Sequence, residues 1–463
     1  MNKLCIGFSR VDITPMLGIP LDGMFEARYN IEVLDPLCAT CLAVSDGQTT
    51  AFLVSTDLLH IPNDVIEDIK ATVYSATGVS EDCVYLHGTH THNGPVVGKK
   101  AVETGGQEDE HKVKLVEEYT RFLIHRITDA CTQALADRKP AKMGWTVGKA
   151  PNVAFIRRFR MKDGSIATNP GINNPDVVKP VGKLDDRVNI LRFDRGENDT
   201  VVLVNFGNHP CVVNGPRVSA DWPGFMYRTV EQALPETKCI FFNGCQGDVN
   251  HVNIWPGETD RYLNYDPDEK YKEVRRTYAR YMGRAMAGTV LQEYDKVKYI
   301  DVETVACMQK LVQVANNKGT PEQVDNAHRL LQQYEEIGTE AMRALYPGME
   351  FETVLGEASR MVRLENAPAY SELLMSVVTI GKVAFVGFPG EPFSGVSFQI
   401  KETPGWEMVL PTCCTNGKCV YFPMMEDYEE GAYETRDSDF MAGTAETLVR
   451  EAQAMLEEIA KKQ

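Results

Sequence analysis

No stretch of the 463-residue chain approaches the roughly 20 consecutive apolar residues of a bilayer-spanning helix, so no integral membrane segment is expected. Positive charge is also short. Against 65 aspartates and glutamates stand 48 lysines and arginines, a formal net charge of -17. A surface of that sign repels phosphate backbones and anionic lipid, which argues against nucleic acid or an acidic membrane face as the main partner. It leaves room for a local basic pocket. Paired cysteine motifs are missing too: Cys38-x-x-Cys41 has zinc-knuckle spacing, but no second pair accompanies it. The twelve cysteines are scattered through apolar contexts such as Cys83, Cys131 and Cys239, so free buried thiols and a reducing compartment are expected. The amino terminus carries Arg10 and Asp12 inside its best apolar stretch, unlike a secretory signal, and the expected location is cytoplasmic. Internal repeats and low-complexity linkers are absent as well. Residues 1–463 are therefore expected to form one large domain.

What the chain does have is ordinary globular composition, 43% hydrophobic and 24% charged, which excludes disorder. Strand-like runs over 38–44, 50–56, 82–87, 188–193, 201–206, 238–242 and 373–388 are interspersed with helical spacing over 61–76, 111–136, 223–233, 271–294 and 443–461. The alternation lacks a strict βαβ rhythm. It predicts an α/β fold with a mixed β-sheet core packed by helices. A polar helical stretch at 321–344 has the character of a surface insertion.

The nine histidines are unevenly spread, and four sit in or just after β-rich runs. The first cluster is Tyr85-Leu-His-Gly-Thr-His-Thr-His-Asn-Gly-Pro95. Side chains alternate in an extended segment, so His90 and His92 are expected on one face and His87 on the other. Two imidazoles on one face before a Gly-Pro turn suit a metal and its catalytic neighbour, or else a solvated polar strand end. His209 closes a second strand-end motif, Asn205-Phe-Gly-Asn-His-Pro210. It is followed by Ser219-Ala-Asp-Trp-Pro-Gly224 and Asn243-Gly-Cys-Gln-Gly-Asp-Val-Asn250. Phe388-Pro-Gly-Glu-Pro-Phe393 and Thr415-Asn-Gly-Lys-Cys-Val-Tyr-Phe-Pro423 complete the set. Asp57, at a strand end, is a candidate carboxylate partner for a metal-ligating histidine, or a turn cap. Asp248 and Asn250 either line the site or shape a turn.

In this order, with Gly-Phe-Ser-Arg-Val-Asp-Ile-Thr-Pro at the start and Phe155-Ile-Arg-Arg-Phe159 between, the chain resembles the neutral (non-lysosomal) ceramidase superfamily in its amino-terminal catalytic domain. The Thr-His-Thr-His motif is the most specific part. The resemblance implies one catalytic zinc ion held by His90, His209, Glu391 and Tyr421. It implies His92 as the active-site histidine beside the metal and Arg157 as the substrate-binding arginine. Such a donor set suits zinc, with the phenol joining only if the metal's charge depresses its pKa. Two departures matter. Asn250 stands where ceramidases carry a serine implicated in the chemistry; asparagine is no nucleophile but can donate to an oxyanion. The chain also ends soon after the tyrosine motif, so no immunoglobulin-like carboxy-terminal domain is expected. The expected activity is a zinc hydrolase attacking an amide or related carbonyl of a small soluble substrate with a zinc-bound water. Hydrolysis of a cyclic ketone or lactone of sugar or polyol type is the alternative, and a non-catalytic metal-stabilised binding protein is a third.

Overall fold

A computed structural model describes residues 4–24, 26–98, 110–264, 266–418 and 420–462. Its β-rich runs assemble three larger mixed sheets, and the same connectivity builds each. In the first, Cys5–Asp12 pairs antiparallel with Cys38–Ser45, which forms a hairpin with Thr50–Thr56. The helix Asn63–Thr77 then returns the chain to Val84–Gly88, parallel to Thr50–Thr56. In the second, Lys142–Lys149, Arg187–Asp194 and Thr200–Phe206 are antiparallel neighbours. The helix Asp221–Ala233 leads to the parallel strand Thr237–Asn243. In the third, Val305–Ala315, Tyr370–Ile380 and Val383–Gly387 are followed by the helix Ser394–Lys401 and the parallel strand Met408–Thr412. The expectation of no internal repeat is thus corrected at the level of topology. A repeated hydrogen-bonding plan needs only apolar, β-favouring residues at each strand, so no residue pattern has to recur.

The α/β architecture with mixed, helix-packed sheets is as expected. Helix Glu110–Ala136 buries Val116, Tyr119, Leu123 and Ile127 against the first sheet, at the 3.6-residue spacing of an apolar stripe. Thr444–Lys462 covers the third sheet in the same way through Leu448, Ala452 and Met455. Gly105 and Gly106, which precede this helix in the sequence, lie outside the described residues. The helix expected from 271 begins only at Arg276, because Arg275 has left-handed backbone with φ of 56°. Strands Lys142–Lys149, Val305–Ala315 and Met408–Thr412 and the helix Met349–Leu364 are additions to the sequence expectation. The polar helix Pro321–Leu345, bent at Gly338, packs on Met349–Leu364. Both helices lie between the first two strands of the third unit. No helix among the described residues is long and apolar enough to cross a membrane.

Candidate metal centre

The parallel strand pairs of the three units all run towards one place. Ligand sites in open α/β sheets form beyond the carboxyl ends of strands, and the candidate residues lie there in every unit. His90 and His92 follow Val84–Gly88, His209 follows Thr200–Phe206, and Glu391 follows Val383–Gly387. Tyr421 lies beyond Met408–Thr412, in a short parallel bridge whose register sets Glu391 directly beside it. The convergence of His90 and His92 does not come from strand alternation, which corrects the sequence argument. The strand stops at Gly88, and His90 has φ of 73°. Its N–H is bonded to Leu58 O at 2.9 Å, and His92 N–H to Pro210 O at 3.1 Å. The loop's hydrogen bonds, not a pleat, aim the two rings.

The rings of His90, His92 and His209 pack with centroids 5.0, 5.0 and 5.7 Å apart. One ligand atom from each lies within 4.8 Å of the others. Each Nδ1 is engaged by backbone carbonyls: Leu59 O at 3.1 Å for His90, Gly23 O at 2.8 Å for His92, and Gln246 O and Val249 O at 2.9 and 3.0 Å for His209. A carbonyl only accepts, so each Nδ1 carries the proton and directs Nε2 inward. The Nε2 atoms of His92 and His209 are buried without a hydrogen-bond partner. Unsatisfied, convergent imidazole nitrogens of the metal-binding tautomer are what a divalent cation requires, so the donors fit one.

Glu391 completes the cluster. Its Oε2 lies 3.3 Å from Nε2 of His90 and 3.2 Å from Nε2 of His209. Burial favours the neutral acid, but the two histidines outweigh it and hold the carboxyl well below its usual range. Burial likewise opposes charge on His90, yet Glu391 raises that imidazole above the usual histidine value. His92 is pushed well down by burial and by its two histidine neighbours, and His209 to about 4 by burial and Arg157.

Arg157 is buried beside Tyr421. Its Nη2 donates to Gly247 O at 2.6 Å, its Nε lies 2.7 Å from Glu434 Oε1, and it is hydrogen-bonded to the Tyr421 side chain. The phenol is raised by burial and Glu391, with Arg157 opposing. Asn250 is occupied at both ends, donating to Asn169 Oδ1 and accepting from Val252 N–H at 2.9 Å each. Asp248 accepts from the N–H and hydroxyl of Ser394. Of the two readings of Asp57 the structure favours the local structural one: its Oδ2 accepts from Cys38 N–H and the Tyr227 hydroxyl, and backbone carbonyls hold the histidines.

Three contributors escaped the sequence reading. Gln246 Nε2 donates to Glu391 Oε2 at 3.2 Å, Cys414 Sγ is 3.4 Å from His90 Nδ1, and Glu434 is a fully buried partner of Arg157. The adjacent arginines at 157 and 158 in an apolar run were the available signal for Glu434, because buried guanidinium groups require carboxylates.

No protein-family model and no curated protein matches the chain by sequence. Solved structures do. Neutral ceramidase from Pseudomonas aeruginosa superposes with a TM-score of 0.71 over 99% of this chain and 75% of its own, at 17% identity. The chain has a neutral ceramidase-like fold. A ceramidase complexed with C2 is similar as well, with a TM-score of 0.69, 16% identity, and coverage of 99% and 76%. The chain therefore spans about three-quarters of the length of these ceramidases.

Proposed function

We propose that the protein is a zinc-dependent hydrolase that cleaves an amide or related carbonyl bond of a small soluble substrate. The carrying observation is the convergence of imidazole Nε2 atoms whose Nδ1 protons are bound by backbone carbonyls, next to the Glu391 carboxylate. Similarity of fold to two ceramidases supports the amide as the bond attacked. His90, His209, Glu391 and Tyr421 hold the metal in this reading. A bound zinc ion supplies a Lewis acid for a carbonyl oxygen and acidifies water. His92, neutral and anchored at Nδ1 to Gly23 O, takes a proton at Nε2 from the attacking water and delivers it to the leaving nitrogen. The new C–O bond replaces the C–N bond, giving an acid and an amine. Arg157 fixes Tyr421 and offers positive charge to the substrate; Asn250, with one amide hydrogen given to Asn169, is the candidate donor to an oxyanion in this reading. The free thiols of the eleven described cysteines suit a reducing, cytoplasmic setting.

The mutual distances of His90, His92 and His209 favour a second ligand set, in which His92 binds the metal in place of Tyr421. Elemental analysis separates the two. About one zinc per chain is expected, largely lost in His90→Ala or His209→Ala and kept in His92→Ala. A wild-type protein purified without zinc and unable to take it up would refute the metal reading. Turnover of an N-acyl amide panel by the zinc-loaded protein tests the hydrolase.

A further inference from the structure

His92 owes the direction of its ring to a carbonyl, Gly23 O, from a distant part of the chain. The segment carrying it belongs to a small hairpin, Pro20–Leu21 paired antiparallel with Arg28–Tyr29. The hairpin lies along the residues that follow His92. Asp22 N–H donates to Gly94 O at 3.0 Å, Val96 N–H to Pro20 O at 2.9 Å, and Leu21 bridges Pro95. Gly23 has left-handed backbone with φ of 94°, and a Cβ there would lie 2.7 Å from His92 Nδ1. Any side chain at this position would displace the imidazole, so the approach needs glycine.

One side chain closes the arrangement. Arg28 Nη2 donates to Asp22 O at 2.7 Å and to His92 O at 2.6 Å, and Nη1 reaches Gly215 O at 3.4 Å. A guanidinium withdrawn from water normally pairs with a carboxylate. Here Asp22 and Glu26 act on Arg28 through charge alone, while their oxygens face His60 at 3.4 Å and Arg343 at 3.2 Å. Nε of Arg28 is buried with no hydrogen-bond partner. A charge held on backbone oxygens in this way is a costly means of stabilising a fold. What it does achieve is a closed circuit. The path runs from His92 O through Arg28 Nη2 to Asp22 O, along one peptide to Gly23 O, and back to His92 Nδ1. His90 and His209 stand outside it, since their Nδ1 atoms face Leu59 O, and Gln246 O and Val249 O.

Resting on the hydrolase reading above, in which His92 moves the proton, we propose that Arg28 is a positioning residue for His92. By joining the carbonyls of Asp22 and His92 it clamps Gly23 O onto Nδ1, and the clamp keeps Nε2 turned inward. Without it the imidazole is free to turn about its side-chain torsions, while the other two rings keep their own carbonyls. Proton transfer demands hydrogen-bond reach and alignment, so a loosened ring costs rate. The hydrogen bonds of Arg28 go to none of His90, His209, Glu391 or Tyr421, so retention of the ion is not its task.

The test is the imidazole N–H spectrum of the full chain, made with nitrogen-isotope-labelled histidine and supplied with zinc. The Nδ1–H signal of His92 is the one missing in His92→Ala. In Arg28→Met that signal is expected to shift or to vanish through exchange with water, while those of His90 and His209 stay. Arg28→Lys keeps donors for the carbonyls and should return the signal towards its wild-type position. Kinetics on a cleaved amide give a second readout. Arg28→Met should lower kcat about tenfold or more with KM within about twofold and zinc content unchanged. In a His92→Ala background the same replacement should cost nothing further, because residues that act as a unit are not additive. A His92 signal unmoved in Arg28→Met, or a further tenfold loss in the His92→Ala background, overturns the proposal. Should Arg28→Met not fold, Arg28→Gln is judged on the same criteria. A displaced signal with kcat unchanged upholds Arg28 as the clamp and removes His92 from the chemistry, so the two readings fail separately.

Discussion

His92 differs from its neighbours in one respect. Nε2 of His90 and of His209 lies 3.3 and 3.2 Å from Glu391 Oε2, whereas Nε2 of His92 is buried with neither a hydrogen-bond partner nor a carboxylate at ion-pair distance among the described residues. A nitrogen held neutral and unengaged is suited to move a proton, and such groups contribute roughly 100-fold or more to rate. His92→Ala is accordingly expected to keep near-stoichiometric zinc and lose about 100-fold or more in kcat/KM, measured by elemental analysis and steady-state kinetics on a cleaved amide. Loss of the zinc would make His92 a ligand and free Tyr421 from that duty. Asp57 yields a prediction of another kind. Burial raises its carboxyl to about 6 despite the bond from Cys38 N–H. Because the folded value exceeds the unfolded one, the native state binds more protons between about pH 4 and 6. The Asp57 contribution to stability is therefore lost as pH rises through that window and is constant above it. At about 1.4 kcal/mol per pKa unit this amounts to roughly 3 kcal/mol. Asp57→Asn lacks the term, so its stability relative to wild type should climb from pH 4 to 6 in urea unfolding. A difference that does not vary with pH would show that Asp57 is ionised at little cost.

Short elements do the positioning. The bridge Glu391–Pro392 with Tyr421–Phe422 is only two residues long on each side, yet it sets carboxylate and phenol next to each other. Gly247 is what lets the neighbouring loop close onto it. A Cβ there would meet Glu391 O at 2.6 Å, Phe393 Cδ1 at 2.9 Å and Pro392 O at 3.2 Å, two of them backbone atoms with nowhere to go. Gly247→Ala should cost about 2 kcal/mol or more and weaken zinc retention by displacing Glu391. The matched control is Gly288→Ala, inside the helix Arg276–Glu293 with open space around it, which should stabilise by up to about 1 kcal/mol. Urea midpoints give both values, and equal effects would show that the packing at Gly247 is slack. This scale also explains what sequence reveals. The apolar periodicity of 111–136 and 201–206 is local, and so is the punctuation that ends strands in His-Gly-Thr-His or Pro-Gly-Glu. Those elements and candidate residues were legible. The left-handed turn at His90, the carbonyls that orient each ring and the reach of Gln246 to Glu391 depend on contacts between residues far apart in the chain. Asp57 shows the same boundary, since a strand-end aspartate serves equally well as metal support or as a brace for Cys38 and Tyr227.

For the whole molecule, three units of one topology meet at a shared end, and His87 joins them. It closes the last strand of the first unit, accepts from Asn243 N–H of the second at Nε2 and 2.9 Å, and donates from Nδ1 to Cys413 O of the third at 2.8 Å. Asn205 and Asn416 add further links, the former to Phe242 O and Pro411 O, the latter to Leu86 N–H and Val84 O. Burial pushes the His87 imidazole down to about 3, so it acts as a neutral donor and acceptor and not as an ion. Replacing it with leucine preserves bulk against Phe242, whose ring centroid lies 5.1 Å away, but strands the Asn243 N–H. One buried, unsatisfied amide costs about 1–3 kcal/mol. The Cys413 carbonyl keeps the Thr415 hydroxyl, so the penalty is that of a single orphan. His87→Leu should therefore lower the unfolding free energy by about 2 kcal/mol with an unchanged denaturant slope. It should also weaken zinc binding although His87 touches none of the candidate ligands, because Gly88 leads into the loop of His90 and Asn243 into the loop of Gln246. Competition with a chromogenic chelator reads that second effect directly. A variant that is destabilised but binds zinc as tightly as wild type would show that each strand end holds its ligand independently, and that the junction at His87 serves stability alone.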